Sequence, residues 1–457
     1  MRLLILTICA SAWAASPVSI EQRFAQLKKN PPELYQFLLR MPKGGDLHNH
    51  LSGAVYAESY IAAAAEDGLC ADMNALKIVV CAPGLIDAQR VAKDNTLRNT
   101  LIDALSMRNF VPGRESGHDH FFATFGKFGP IKEEHRGEFL AEVVRRAADQ
   151  NESYLEVMAI NGRAADALAA QIGEMKDYDA AKDALLRAGL DKVVEAMRAR
   201  VAEMDRGRVR ALGCDTKPDT PACRVVVRYL YEVIRESPLK EIFAEVLAGC
   251  MLTATDPLVV GINFVAPEDG LVSMRDYHEQ MRMVGYAKHL YPKAHVSLHA
   301  GELAPGLIPP EGLRFHIREA VELGHAERIG HGVDILYETG AAQLLETMRD
   351  RHIMVEINLS SNDLILGVRG KDHPLPSYRK AGVPVALATD DEGVSRGHLT
   401  LEYVRAALDY GLTYAELKKM ARNSLEYSFL PEDEKARAKA ELERRFAEFE
   451  KLDKPRQ

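Results

Sequence analysis

Seven short runs of apolar and β-branched residues recur from the middle of this chain onward, each following a stretch with helical spacing. They are Tyr154-Leu155-Glu156-Val157-Met158, Val225-Val226-Val227-Arg228-Tyr229, Leu258-Val259-Val260-Gly261-Ile262, His295-Val296-Ser297-Leu298-His299, Arg328-Ile329-Gly330-His331, Ile353-Met354-Val355-Glu356-Ile357 and Val383-Pro384-Val385-Ala386-Leu387. Gly45-Asp46-Leu47-His48 stands ahead of them as an eighth. Strands that alternate with amphipathic helices imply parallel β–α units. Eight such units predict an α/β fold, a (β/α)8 TIM barrel, over an open doubly wound sheet, whose G-x-G-x-x-G turn is absent.

The rest of the chain fits around that frame. Residues 1–14 read as a signal peptide: Arg2, the apolar run Leu3 to Ala10, and the small-residue pattern Ala12-Trp13-Ala14. Residues 15–40 form an N-terminal extension, 41–430 the barrel, and 431–457 a C-terminal amphipathic helix with Leu442, Phe446 and Phe449 on its apolar stripe. Segments 69–114 and 161–213 exceed ordinary strand–helix connections and read as insertions on the barrel. Export to a periplasm or the cell exterior places the cysteines in an oxidising compartment, and Cys70/Cys81 and Cys214/Cys223 are expected to form two local disulfides. No later run is long and apolar enough for a membrane anchor. With 58 Lys+Arg against 66 Asp+Glu, the formal charge of −8 gives no footprint for a nucleic-acid partner.

Catalytic groups of such barrels sit where strands end. The first run leads into His48-Asn49-His50, two imidazoles on one face of a strand. His299 ends the fifth run, His331 the sixth, and Asp390-Asp391 follow the eighth. Histidines and a carboxylate at one barrel mouth make a nitrogen/oxygen site suited to zinc, with room for a water that the metal acidifies. A structural zinc would close its fourth position with protein ligands, so this reads as a catalytic site. The fourth strand ends without a lysine to bridge two metals, so one ion per chain is expected. Glu302, three residues past His299, is placed to donate a proton, while His331 serves either as a ligand or as the group that holds and deprotonates the water. His118-Asp119-His120 follows Gly117 with no strand before it and reads as the opening of a helix beside the site. Phe121, Phe122, Phe125 and Phe128 have the spacing of a buried helix face.

His48-x-His50, His299-Ala300-Gly301-Glu302, Arg328-Ile329-Gly330-His331-Gly332, Ser361-Asn362 and Thr389-Asp390-Asp391 together resemble the adenosine deaminase family, including its secreted growth-factor-related branch, over roughly residues 40–430. The resemblance implies that His48, His50, His299 and Asp390 bind zinc. It implies that Glu302 protonates purine N1, that His331 assists the zinc-bound water in attacking C6, and that Asp391 hydrogen-bonds N7. The expected reaction is hydrolytic deamination of adenosine or 2′-deoxyadenosine, a small-molecule purine nucleoside, to inosine or deoxyinosine and ammonia. Three positions depart from the pattern. Ser52 stands where the family has Asp near the ribose, Ala266 where it has Gly near N3, and Asn358-Leu359-Ser360 where Cys-Pro precedes Ser-Asn. Ser52 and Ala266 are accordingly the candidate substrate-binding positions beside Asp391. The alternatives are a mononuclear metal amidohydrolase for another 6-aminopurine nucleoside, and a nucleoside-binding or signalling protein that retains the fold without turnover.

Overall fold

In the computed structural model the described residues are 19–452 apart from 162, 164, 174 and 176, so the expected signal peptide lies outside them. Eight parallel strands form one sheet in sequential order. In barrel order they are β1 (Gly44–His50), β2 (Glu152–Asn161), β3 (Val226–Ile234), β4 (Val259–Val265), β5 (His295–Ala300), β6 (Arg328–His331), β7 (Met354–Ile357) and β8 (Val385–Leu387). Each overlaps one of the eight runs expected from the sequence. The last strand begins later than its run, because Pro384 has no N–H to give the ladder; its carbonyl still accepts from Val355 N–H at 3.0 Å.

The ends of this sheet meet just past β8. Asp390 N–H donates to the His48 carbonyl at 2.8 Å and His50 N–H to the Asp390 carbonyl at 3.1 Å. The closed sheet with its surrounding helices is the expected (β/α)8 TIM barrel. Every residue of β1, β6, β7 and β8 is buried, as strands enclosed on both faces require.

Two aromatic clusters mark the ends of the molecule. Away from the site, the helices Ile20–Leu27, Pro31–Arg40, Tyr414–Glu426 and Glu432–Leu452 converge. Phe37 packs edge-on to Phe449 at 5.0 Å and to Tyr414 at 5.9 Å, with Phe24 5.7 Å from Phe37. Leu442, Phe446 and Phe449 are buried, so the terminal stripe lies on the body of the protein. At the other end, the helix Gly117–Thr124 begins at Ser116, whose side chain accepts from Asp119 N–H. Phe121 of this helix joins Met107, Ile365 and Val394 in a separate apolar cluster above the barrel mouth.

Both expected disulfides form, Cys70–Cys81 and Cys214–Cys223, while Cys250 is free and buried. The first staples a small antiparallel sheet, Cys70–Asp72, Lys77–Val79 and Ile86–Asp87, within the first insertion. The second closes the loop between the helix Leu190–Leu212 and β3. No described helix is long and apolar enough to cross a membrane.

Candidate metal centre and active site

The strand ends bring His48, His50, His299, His331 and Asp390 together. His48 Nε2 and His299 Nε2 are 3.0 Å apart, and His50 Nε2 lies 3.2 Å from His299 Nε2. Asp390 Oδ1 stands 3.4 Å from His48 Nε2 and 3.2 Å from His50 Nε2. Ligands about 2.0–2.1 Å from a tetrahedral zinc are separated by edges of about 3.3 Å. These four separations match edges of a ligand shell around one ion; nitrogens and oxygens of His48, His299, His331 and Asp390 lie within 4.8 Å of one another, and those of His50, Asp390 and Asp391 do likewise.

The far side of each ring explains why these nitrogens face inward. His48 Nδ1–H donates to Glu356 Oε2 at 2.6 Å, and His299 Nδ1–H donates to Asn263 Oδ1 at 2.9 Å. His50 Nδ1 is 3.7 Å from Glu232 Oε1. With its proton held on Nδ1, a neutral imidazole presents a lone pair at Nε2. Lone pairs within 3.2 Å of one another repel unless positive charge lies between them. Burial opposes a charge on His48 and His50, yet the carboxylates around them raise both above the ordinary histidine range, His48 to about 9. Burial together with His48 and His50 lowers His299 well below that range. The cluster thus draws positive charge to a point shared by three rings. This donor set fits a divalent ion such as zinc.

A ladder of buried charge fixes the assembly from beneath. Burial alone would raise the Glu356 carboxyl, but Arg328 and His48 outweigh it and hold it below its usual range. Arg328 Nε lies 2.6 Å from Glu356 Oε1 and its Nη2 donates to Glu156 Oε2 at 2.6 Å. Glu156 in turn accepts from Phe429 N–H at 2.7 Å, and the Arg328 guanidinium lies 3.7 Å above the Phe429 ring. Gly330 makes this packing feasible, since a Cβ there would fall 2.6 Å from His48 Cε1.

His331 and Asp390 adopt left-handed backbone, φ +67° and +60°, as does Ala266 at φ +84°. Such conformations cost about 1–3 kcal/mol each in non-glycine residues and persist where the surroundings impose them. Here they turn the chain sharply at strand ends and aim its side chains across the mouth. His331 Nε2 is 3.9 Å from Asp390 Oδ2, and its Nδ1 is 3.6 Å from Glu302 Oε1.

A cavity of about 490 Å3 opens over the cluster, with His50, His299, Asp390, Glu302, Asp391, Ser52 and Ala266 in its walls. Burial first, then the negative charges of Asp390, Glu268 and Asp391, push the Glu302 carboxyl well above the usual carboxylate range. Burial and Asp390 do the same to Asp391. Among the described residues, Glu302 Oε1 and Asp391 Oδ1 have no hydrogen-bond partner. Burial and neighbouring negative charge thus favour the protonated form of both carboxyls in this cavity wall, the form that donates to acceptor-only nitrogens. Gly53 keeps room for one of them, because a Cβ there would overlap Asp391 Oδ1.

All the site residues expected from the sequence lie at this mouth. Its supports, Glu356, Asn263, Glu232 and Glu268, had no signal beyond their positions on or just after barrel strands. Glu268 accepts from the backbone N–H groups of Gly301 and Glu302 at 3.0 and 2.8 Å and so fixes the turn that carries Glu302. The aromatic segment divides in two, correcting its reading as a buried helix face alone. Phe128 stacks on Tyr60 at 4.2 Å, whereas Phe121, Phe122 and Phe125 also line the cavity. Helix periodicity shows which residues turn inward but not that this helix lies over a barrel mouth. His118 does open that helix, and it pairs with Asp269 at 2.9 Å.

A closed parallel barrel with imidazoles and a carboxylate converging at its strand ends defines a barrel hydrolase of metal-dependent type. Residues 135–444 match the family described as adenosine deaminase, and the chain belongs to that family. It is 31% identical to an adenosine deaminase of Clostridium perfringens over 47% of this chain and 55% of that enzyme. The match spans about half the length of that curated relative. Among solved structures it resembles Arabidopsis ADAL complexed with IMP, at TM-score 0.62 and 19% identity, over 91% of this chain and 99% of that one. It also resembles an amidohydrolase from Burkholderia ambifaria with bound Zn, at TM-score 0.59 and 18% identity, over 92% and 94% of the two chains.

Proposed function

We propose that this chain is an exported, zinc-dependent deaminase converting adenosine and 2′-deoxyadenosine to inosine and deoxyinosine with release of ammonia. The observation that carries this reading is the placement of two buried carboxyls, Glu302 and Asp391, each with one oxygen that has no hydrogen-bond partner among the described residues, in the wall of one cavity beside the three-imidazole, one-carboxylate cluster. Purine N1 and N7 are both acceptors, so a site for a 6-aminopurine needs two donors.

His48, His50, His299 and Asp390 would hold the zinc, which supplies the Lewis acidity that makes water nucleophilic near neutral pH. Glu302 donates its proton to N1, which leaves C6 electron-poor. Asp391 donates to N7 and orients the ring. His331 hydrogen-bonds the attacking water, and loss of ammonia from C6 leaves the 6-oxopurine. The phenylalanine wall covers the purine face and limits access of bulk water. Family membership and the adenosine deaminase of Clostridium perfringens support the choice of substrate. Two disulfides support an oxidising destination, periplasmic or secreted.

A second reading has its own observation. Arg136 and Arg163 line the same cavity, and Ser52 supplies no negative charge there. These features favour a 6-aminopurine nucleoside 5′-monophosphate, and the Arabidopsis structure holding IMP has the same fold.

The test is ultraviolet and ammonia monitoring of purified zinc-loaded protein and a chelated control, offered adenosine, 2′-deoxyadenosine, adenine, AMP and N6-methyl-AMP. Chelator-sensitive conversion of the free nucleosides supports the first reading. Conversion confined to the monophosphates supports the second, and no turnover of any of the five by folded, zinc-replete protein overturns both.

A further inference from the structure

His373 lies behind the site, 2% exposed, in the segment before the helix Leu375–Ala381. It is not part of the cavity wall, yet its ring nitrogens connect to His331 through one side chain. The backbone N–H of Leu375 donates to His373 Nδ1 at 3.1 Å. Pro374, the residue between them, has no N–H, so this first-turn amide is the nearer backbone donor. A backbone N–H cannot accept, so Nδ1 carries the lone pair and the single proton of a neutral ring is on Nε2. Burial, with Arg405 adding to it, lowers His373 to about 3, which keeps the ring neutral.

That proton orients the next group. His373 Nε2–H donates to Asn362 Oδ1 at 3.0 Å, which leaves Asn362 Nδ2 facing His331 Nδ1 at 2.9 Å. Turning the amide over would set its NH2 against the His373 N–H and its oxygen against His331, so the direction of the chain is set by the Leu375 amide. An amide nitrogen only donates, so His331 Nδ1 accepts. Asn358 Nδ2 lies 3.4 Å from Nδ1 and 3.5 Å from Nε2 and so favours neither nitrogen, and Glu302 Oε1 at 3.6 Å is beyond hydrogen-bond length, which leaves the 2.9 Å contact with Asn362 to decide. The proton of a neutral His331 is then on Nε2, the nitrogen turned toward Asp390.

We infer that His373 is a positioning residue: through Asn362 it holds His331 in the Nε2–H form, so that His331 meets the attacking water as a hydrogen-bond donor and not as a base. The catalytic consequence rests on the deaminase reading; the tautomer itself does not. A ring already protonated at Nε2 and blocked at Nδ1 has no lone pair for the water's proton. His331 instead orients the water and stabilises negative charge developing on its oxygen, while the water's proton passes to the Glu302 carboxylate left when N1 takes its proton, and the hydroxyl proton leaves with the amino group as ammonia. This replaces the water-deprotonating role that the strand-end position of His331 alone left open.

The experiment uses long-range 1H–15N spectra of the full chain with 15N-labelled histidine, metal-free and zinc-loaded, with His331→Asn to assign the signals. Wild type is expected to show the His331 proton on Nε2. Asn362→Asp replaces the donor at His331 Nδ1 by an acceptor, and the proton is expected to move to Nδ1. His373→Phe keeps a ring but loses both hydrogen bonds and is expected to give a mixture of tautomers. His373→Gln, which can still accept from Leu375 and donate to Asn362, is expected to restore the wild-type pattern. In turnover, His373→Phe should lose about 10–100-fold in kcat with little change in KM, and His373→Gln should recover most of it. A wild-type His331 protonated on Nδ1, or a tautomer unmoved in Asn362→Asp, overturns the inference. Because Asn362→Asp leaves His373 and its helix intact, it decides the matter even where His373→Phe fails to fold. Should wild type deaminate none of the purines while keeping the Nε2–H pattern, the deaminase reading falls and the positioning inference stands.

Discussion

In the proposed reaction Glu302 supplies a proton, and burial with the negative charge of Asp390 and its neighbours raises its pKa and so favours the form that carries one. Glu302→Gln keeps the shape and removes the transferable proton. Turnover should fall about 10²–10⁴-fold with zinc stoichiometry unchanged, read by steady-state kinetics beside metal analysis. Gly330→Ala tests the packing of a ligand without touching one. A methyl 2.6 Å from His48 Cε1 must displace the ring from Glu356, and zinc affinity should drop about 10–100-fold in competition with a chromogenic chelator. Unchanged affinity would mean that the His48 ring has room the structure does not show. The residues at the mouth were legible in the sequence because a strand end is a place that sequence can locate. Glu356 and Asn263 were not, since a polar residue inside an apolar run does not disclose which neighbouring strand it faces.

The helix Gly117–Thr124 is the element that turns an open mouth into a cavity. It is held by its apolar cluster and by two polar contacts, His120 Nε2 to the Ser106 carbonyl at 3.0 Å and a latch, His118 Nε2 to Asp269 Oδ1 at 2.9 Å, across to the loop after β4. The hydrogen bond to Asp269 outweighs partial burial and, with Asp119, raises the His118 pKa above its ordinary 6.5. A raised histidine contributes its stability fully below the unfolded value and loses it as pH climbs through the folded one. The latch should therefore hold below about pH 6.5 and weaken at higher pH. Hydrogen exchange across residues 117–124, corrected for intrinsic rates, should accelerate from pH 6 to pH 9 in wild type. His118→Phe should lose this pH dependence; a wild-type helix with no change across the range would remove the latch from the account. The helix itself was legible from Gly117, with no strand before it, and from the aromatic spacing. Its place over the cavity was not, because that depends on contacts with Ile365 and Val394, far along the chain.

For the molecule as a whole, the order of the eight strands followed from their alternation with helices, since parallel crossovers leave few topologies open. The disulfide pairs followed from local spacing. What the alternation did not disclose is how closely barrel closure and the metal centre coincide. Asp390 joins the two ends of the sheet with its backbone while its carboxylate faces His48 and His50. Zinc removal should lower the thermal midpoint in proportion to metal occupancy, and hydrogen exchange at His50 and Asp390 should rise before exchange in β3 and β4. Equal protection with and without zinc would separate closure from the centre. The same coincidence bears on the life of the chain before it is folded. An ion held by His48 and Asp390 together would be a long-range staple, joining segments far apart along the chain. A product interrupted before Asp390 would lack both the seam and that carboxylate, so ion retention would report that the two ends of the sheet have met.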